Sequence, residues 1–77
     1  MVEKAEQLLF NMGFLQFRVR IHGTMARIEI LPEEFEKLIK NREVIVSKFK
    51  EYGFSYVSMD LTGYRTGSMN ETIKTEY

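Results

Sequence analysis

The sequence predicts an α+β fold, a two-layer sandwich with helices on one face of a small three-stranded sheet. Two observations carry this. Apolar periodicity switches between 3.6 and 2 along the chain in the order α-β-β-α-β, and a helix–Gly–Phe–strand unit occurs twice, forty residues apart. Length adds a constraint: a chain of 77 residues, 44% hydrophobic, has enough apolar surface for one core. At that size folding buries only about 60–65% of the unfolded surface, so a partner or an oligomer is expected.

Each element follows from its pattern. Val2, Ala5, Leu8, Leu9 and Met12 form one stripe of a first helix, with Glu3, Lys4, Glu6 and Gln7 on its polar side. Gly13 followed by Phe14 reads as a left-handed C-cap with a hydrophobe folding back on the last turn. From Gln16 to His22, Phe17, Val19 and Ile21 alternate with Gln16, Arg18, Arg20 and His22, which predicts a half-buried strand. Residues 25–30 alternate again, with Ala26, Ile28 and Ile30 inward. The two-residue Gly23-Thr24 loop suits a type II′ hairpin. That loop sets residue 22 opposite 25, 20 opposite 27 and 18 opposite 29. Val19 then pairs with Ile28, Phe17 with Ile30 and Arg18 with Glu29, and Arg20 faces Arg27.

Pro32 with Glu33 and Glu34 starts a second helical region, since proline fits a first turn and acids favour its positive end. Its stripe (Phe35, Leu38, Ile39, then Ile45, Val46, Phe49, Tyr52) is interrupted at Lys40-Asn41-Arg42. The reading is two helical pieces, or one helix bent near Asn41, ending at Gly53. Phe54 to Leu61 then predicts a third strand with Val57, Met59 and Leu61 inward. Shifted by forty, Met12-Gly13-Phe14 overlays Tyr52-Gly53-Phe54, Phe17 overlays Val57, Val19 overlays Met59, Ile21 overlays Leu61 and Gly23 overlays Gly63. A right-handed crossover joins strands two and three in this topology, which looks like a ferredoxin-like fold lacking its first strand. Such a sheet has open edges where a missing piece of chain or a second copy could pair.

Eleven basic and eleven acidic residues cancel, so no global field recruits nucleic acid or an anionic membrane. The absence of cysteine removes disulfides, thiolate catalysis and Cys-based metal sites. No signal-peptide pattern and no apolar run of membrane-spanning length is present, so a cytoplasmic protein without a membrane partner is expected. No carboxylate pair or metal-ligand spacing assembles a catalytic or metal site in this chain alone.

The best functional signal in the residues is a cationic strand face formed by Arg18, Arg20 and Arg27, with His22 beside them. Guanidinium groups bind phosphate or carboxylate bidentately, and facing arginines repel unless an anion or acid lies between them. The alternative is a solvated strand face partly neutralised by Glu29. Glu6, on the polar side of the first helix, is expected to be solvated on pattern alone, and His22 fits an ordinary turn hydrogen bond. Nucleic acid is not the expected partner, because the cationic strands lack interleaved exposed aromatics for base stacking. In the tail, Ser68-Met69-Asn70-Glu71 fits a capping box, while Gly63-Tyr64-Arg65-Thr66-Gly67 reads as a glycine loop that contacts an anion or a neighbouring subunit. It lacks the spacing of a phosphate loop.

Three blocks, "VEKAEQLLFNMGF", "LQFRVRIHG-TMARIEI" and "FKEYGFSYVSMDLTGYRTGSMNE", resemble in order the C-terminal domain of the LarE-like, ATP-dependent sacrificial sulfur transferases of the PP-loop ATPase superfamily (ExsB-like). The resemblance spans about residues 2–71; the RVRxHG and ARIE block is fairly specific and DLxGYRxGSMN very specific. It implies an enzyme whose N-terminal PP-loop domain uses ATP and Mg to adenylate a pyridinium carboxylate, after which a protein cysteine gives up its sulfur. This chain has neither the SGGxDS phosphate motif nor a cysteine. It is therefore expected to be the C-terminal part of such an enzyme, one domain over residues 1–77 with 62–77 as its tail, binding neither ATP nor Mg alone. The family pattern implies phosphate- or substrate-binding roles for Glu6 and Arg18, with Arg20 as the alternative arginine and Arg27 on the same face. It also implies a PP-loop domain partner, homo-oligomer formation, and assembly contacts through Tyr64, Arg65, Ser68 and Asn70. A stand-alone nucleotide- or RNA-binding module, or a dimerisation module, is the alternative reading.

Overall fold

The structure, a computed structural model, describes residues 1–65. Helix α1 (Val2–Asn11) leads into the hairpin β1 (Phe17–His22) and β2 (Met25–Ile30). A 3-10 turn (Pro32–Glu34), helices α2 (Phe35–Lys40) and α3 (Arg42–Glu51), and strand β3 (Tyr56–Met59) follow. The sheet order is β1-β2-β3, with β1 antiparallel and β3 parallel to β2. The predicted α+β class and element order are those observed.

Helix ends follow from local chemistry, and they do so twice in the same way. After α1, the Gly13 amide donates to Phe10 O (3.0 Å) and the Phe14 amide to Leu9 O (3.1 Å). After α3, the Gly53 amide donates to Lys50 O (3.1 Å) and the Phe54 amide to Phe49 O (3.1 Å). These paired bonds satisfy carbonyls that a helix end leaves open, and they require a left-handed, positive φ, observed at +92° for Gly13 and +112° for Gly53. The forty-residue repeat is therefore a repeated cap, and each cap sends a phenylalanine, Phe14 or Phe54, into the core.

Between α2 and α3, Asn41 departs from helical geometry (φ −104°, ψ 17°) and its side-chain amide donates to Lys37 O at 2.8 Å. A short polar side chain competing for a backbone carbonyl breaks the helix here, so the region is two pieces rather than one bent helix.

The hairpin register is the predicted one: Phe17 opposite Ile30, Arg18 opposite Glu29, Val19 opposite Ile28 and Arg20 opposite Arg27. Gly23 alone in the turn has positive φ (+61°), as a type II′ turn requires and a type I′ turn does not. Val19, Ala26, Ile28 and Ile30 pack with Ala5, Leu9, Leu38, Ile45, Phe49 and the two capping phenylalanines into one core. The aromatic pair Phe49–Phe54 lies at its centre, ring centroids 5.5 Å apart. The opposite sheet face has no helix over it among the described residues.

Three apolar positions depart from their predicted burial. Ile21 lies at the tip of an edge strand, opposite only Ala26, and is 45% exposed. Ile39 on α2 is also exposed. Leu61 is 79% exposed because β3 ends at Met59 and not at 61. There the Asp60 carboxylate accepts the Thr62 amide (2.8 Å) and turns the chain, and the Tyr64 amide then donates to Ile30 O at 2.7 Å. The loop thus returns to the end of β2.

The two sheet edges differ. On β1 the Val19 amide is taken by the Glu6 carboxylate. On the helical side by β3 lies an apolar cleft of about 120 Å³ whose lining includes Leu38, Ile39, Ile45, Val57 and Met59. No helix among the described residues is long and apolar enough to cross a membrane.

Gly63 gives a direct test of the returning loop. A Cβ there would lie 2.9 Å from Ile30 O and 3.1 Å from Pro32, on a backbone at φ +93°. Gly63→Ala is expected to cost about 1–3 kcal/mol in urea unfolding, from strain plus the forced shift of β2's terminal carbonyl. At Gly23, where the added Cβ meets no atom within 4 Å, Gly23→Asn is expected to cost under about 1 kcal/mol, because asparagine tolerates positive φ.

Candidate functional site

The uncovered sheet face is a grid set by register. One row holds His22, Met25 and Tyr56; the next holds Arg20, Arg27 and Ser58; a third holds Arg18 and Glu29, with Asp60 just beyond β3. Alternation on β2, which turns Ala26, Ile28 and Ile30 inward, necessarily turns Arg27 and Glu29 outward.

Glu29 organises this face. Although on the uncovered side, it is only 5% exposed. Its Oε2 accepts from Arg20 Nε at 3.4 Å and from Arg27 Nη2 at 3.2 Å. Arg20 and Arg27, opposite each other in the register, are thus held by one carboxylate oxygen between them. A buried carboxylate would be costly without such partners, and the two guanidinium groups would repel without it. Asp60 Oδ2 lies 3.7 Å from Arg27 Nε, which is buried and has no hydrogen-bond acceptor among the described residues. Asp60 therefore acts on Arg27 through charge rather than through a hydrogen bond.

The register sets Arg18 opposite Glu29, as predicted, but the carboxylate is engaged elsewhere. Two charge-assisted bonds from Arg20 and Arg27 outweigh one from Arg18, which is exposed and forms no ion pair among the described residues. Three guanidinium groups against the carboxylates of Glu29 and Asp60 leave the face with one unbalanced positive charge. Arg20 and Arg27 still expose 42% and 36% of their side chains, so their remaining donors are accessible.

Glu6 is not solvated, contrary to the expectation from pattern alone. It is half-buried, and its Oε2 accepts the Val19 amide at 3.0 Å. A helix-borne carboxylate thus fills an acceptor position along the edge of β1, next in sequence to Arg18. It is not within ion-pair distance of any arginine among the described residues. His22 is exposed at the hairpin corner. Tyr64 is half-buried where the loop meets β2, and Arg65 is exposed after it. Ser68, Asn70 and the capping box lie outside the described residues. Among those described, no three His, Asp or Glu side chains are grouped to hold a metal ion.

Sequence reasoning put Glu29 on this face as a partial neutraliser of Arg18, and did not foresee that it bridges Arg20 and Arg27. The available signal was an acid two residues after an arginine on a strand whose other face is apolar. Asp60 and Tyr56 were also missed as members of the site. Their place on it depends on β3 pairing with β2, which alternation within β3 does not reveal.

Glu29→Gln keeps the shape and removes the charge, leaving Arg20 and Arg27 facing each other. It is expected to cost about 1–2 kcal/mol in urea unfolding, less than for a fully buried pair because both arginines reach water. Glu6→Ala leaves the Val19 amide without its acceptor; a loss of about 1 kcal/mol is expected, with faster hydrogen exchange at Val19. Unchanged exchange there would mean that the Glu6 contact contributes nothing to the edge.

No protein-family profile matches the chain. Curated relatives do. Over 72 residues, 94% of this chain, it is 36% identical to a protein of Lactiplantibacillus plantarum named pyridinium-3,5-bisthiocarboxylic acid mononucleotide synthase. It is likewise 36% identical over 74 residues to an uncharacterized protein of Synechocystis, and 38% identical over 65 residues to one of Methanocaldococcus jannaschii. In each case the match covers only 25–28% of the relative. The chain therefore corresponds to about a quarter of the length of these proteins, and what it is similar to is one part of each.

Proposed function

We propose that this chain is the C-terminal part of an ATP-dependent, adenylating sulfur transferase of the PP-loop type. In this reading its uncovered sheet face supplies anion-binding arginines to a site completed by the rest of the enzyme. The observation that carries the proposal is the 36% identity, across nearly the whole described fold, to the Lactiplantibacillus plantarum synthase. The arginine face supports it chemically. Arg20 and Arg27, held by Glu29, form a fixed pair of forks, and Arg18 brings the charge that Glu29 and Asp60 leave unbalanced. Fixed guanidinium forks suit phosphate and carboxylate, the groups that an adenylating enzyme must hold.

The chain contributes binding and positioning and does not catalyse alone, having no cysteine to give up sulfur. ATP and Mg belong to the PP-loop domain. Contact with that domain, and with further copies of the chain, is assigned to the Tyr64–Arg65 block and to the sheet edge at β3.

Mixing the 77-residue chain with the cognate PP-loop domain tests this. Association at micromolar concentration and recovery of ATP-dependent thiocarboxylate formation are expected. Arg18→Ala or Arg20→Ala should lower that activity at least tenfold while leaving association intact. ATP hydrolysis by the chain alone, or no association, overturns the proposal. Self-association with no effect of either arginine on activity would instead favour a dimerisation module.

A further inference from the structure

Of the two sheet edges, that of β3 is the one open to another strand among the described residues. On β1 the Glu6 carboxylate takes the Val19 amide. Pairing β1 centrally with its own copy would also set arginine against arginine, since Arg18 and Arg20 share its outer face. Strand β3 carries no charge. The Asp60 amide donates to Ile28 O at 2.9 Å, and alternation from there turns the amides and carbonyls of Val57 and Met59 away from β2, toward the edge. On the helical side Val57 and Met59 line the apolar cleft, together with Leu38, Ile45 and Ile39, which is 55% exposed. Outward backbone groups and uncovered apolar surface thus coincide at one edge.

We propose that a second copy of this chain covers this edge, β3 pairing antiparallel with its counterpart about a two-fold axis at Ser58. The inference rests on the reading that gives the β3 edge a role in assembly, and it names the occupant and the register. Three features select them. In this register Val57 and Met59 of each copy form hydrogen-bonded pairs with Met59 and Val57 of the other, so all four outward amides find acceptors. Side chains also match: Val57 meets Met59 on the helical side, where the two apolar clefts adjoin, and Ser58 meets Ser58 on the outer side, with Tyr56 against Asp60. No like charges are opposed. An axis one residue earlier, at Val57, would set Met59 opposite Ser55, which lies outside the strand. Finally, with one open edge per chain the pairing closes at two copies and cannot propagate, because β1 is blocked. The product is a continuous sheet with the arginine faces of both copies on one side.

The 77-residue chain has no cysteine, so a single introduced thiol reports the register. The two copies' Ser58 form a non-hydrogen-bonded pair with Cα atoms about 4.5 Å apart, within disulfide range, whereas the two copies' Tyr56 lie about 14 Å apart. Under a mild thiol oxidant, Ser58→Cys is expected to give a disulfide-linked dimer and Tyr56→Cys is not. Sedimentation velocity should show a concentration-dependent monomer–dimer equilibrium for the unaltered chain. Ser58→Asp sets carboxylates against each other across the axis but beside Arg27 within each copy. It is expected to weaken dimerisation at least tenfold and leave the circular dichroism spectrum unchanged. A chain that stays monomeric at high micromolar concentration, equal cross-linking at both positions, assembly beyond two copies, or a dimer indifferent to Ser58→Asp overturns the inference. If the chain is monomeric but binds the cognate PP-loop domain, and Ser58→Asp abolishes that binding, the edge belongs to that domain; the inference falls and the proposed function stands. A dimer with the expected cross-link that never associates with the PP-loop domain overturns the proposed function and leaves this interface standing.

Discussion

Among the described residues, strand β2 is the one strand of the three bonded on both sides, and its register governs both faces of the sheet. Its inward residues, Ala26, Ile28 and Ile30, are at most 1% exposed and tie the helices to the sheet. Slipping β2 by one residue would place Arg27 and Glu29 in the core and the isoleucines in water, so the hydrophobic face holds the polar face in place. The burial of Glu29 has the same origin. A carboxylate on an edge strand could turn to solvent, whereas one on the central strand, flanked by Arg20 and Arg27, is enclosed by the groups that neutralise it. Core and candidate site are two consequences of a single alternation.

Features fixed within a few residues were legible in the sequence. Gly13-Phe14 and Gly53-Phe54 announce their caps, the Lys40-Asn41-Arg42 interruption announces a break or a bend, and Gly23-Thr24 sets the hairpin register, because each depends on backbone chemistry between near neighbours. What escaped depends on which strand lies where. Ile21 and Leu61 satisfy the inward pattern yet are exposed, one at an edge tip and the other beyond a strand that Asp60 terminates. Glu6 satisfies the pattern of a solvated helical residue yet turns to the β1 backbone. The Arg18–Glu29 pairing was correct as a register and incomplete as chemistry, because diagonal and same-strand neighbours compete with the residue directly opposite.

The two edges of the sheet show how this small fold handles unpaired strands. At β1, Glu6 occupies an edge amide, and the strand itself carries arginines on its outer face. Both features discourage another strand from adding there. At β3, Tyr56, Val57, Ser58 and Met59 carry no charge, and the adjoining cleft is apolar. An added segment is therefore less opposed at β3 than at β1. The match covers one folded unit in relatives about four times as long.

The chain has no net charge, yet its uncovered face presents three arginines. These facts are compatible because recognition and steering are different uses of charge. Long-range attraction of anions requires a net field, which Glu29 and Asp60 largely cancel. Short-range recognition requires donors held in a fixed geometry, and the same two acids supply it by restraining Arg20 and Arg27. In the proposed anion-binding reading, a face built this way would give up speed of capture for discrimination, since an anion would gain little on approach and much only when its oxygens met both forks. Arg18, outside the Glu29 bridge, retains the one charge that those acids do not balance. If the face binds an anion as proposed, the neutralising acids would serve that binding by fixing the donors, and the buried position of Glu29 holds it between Arg20 and Arg27.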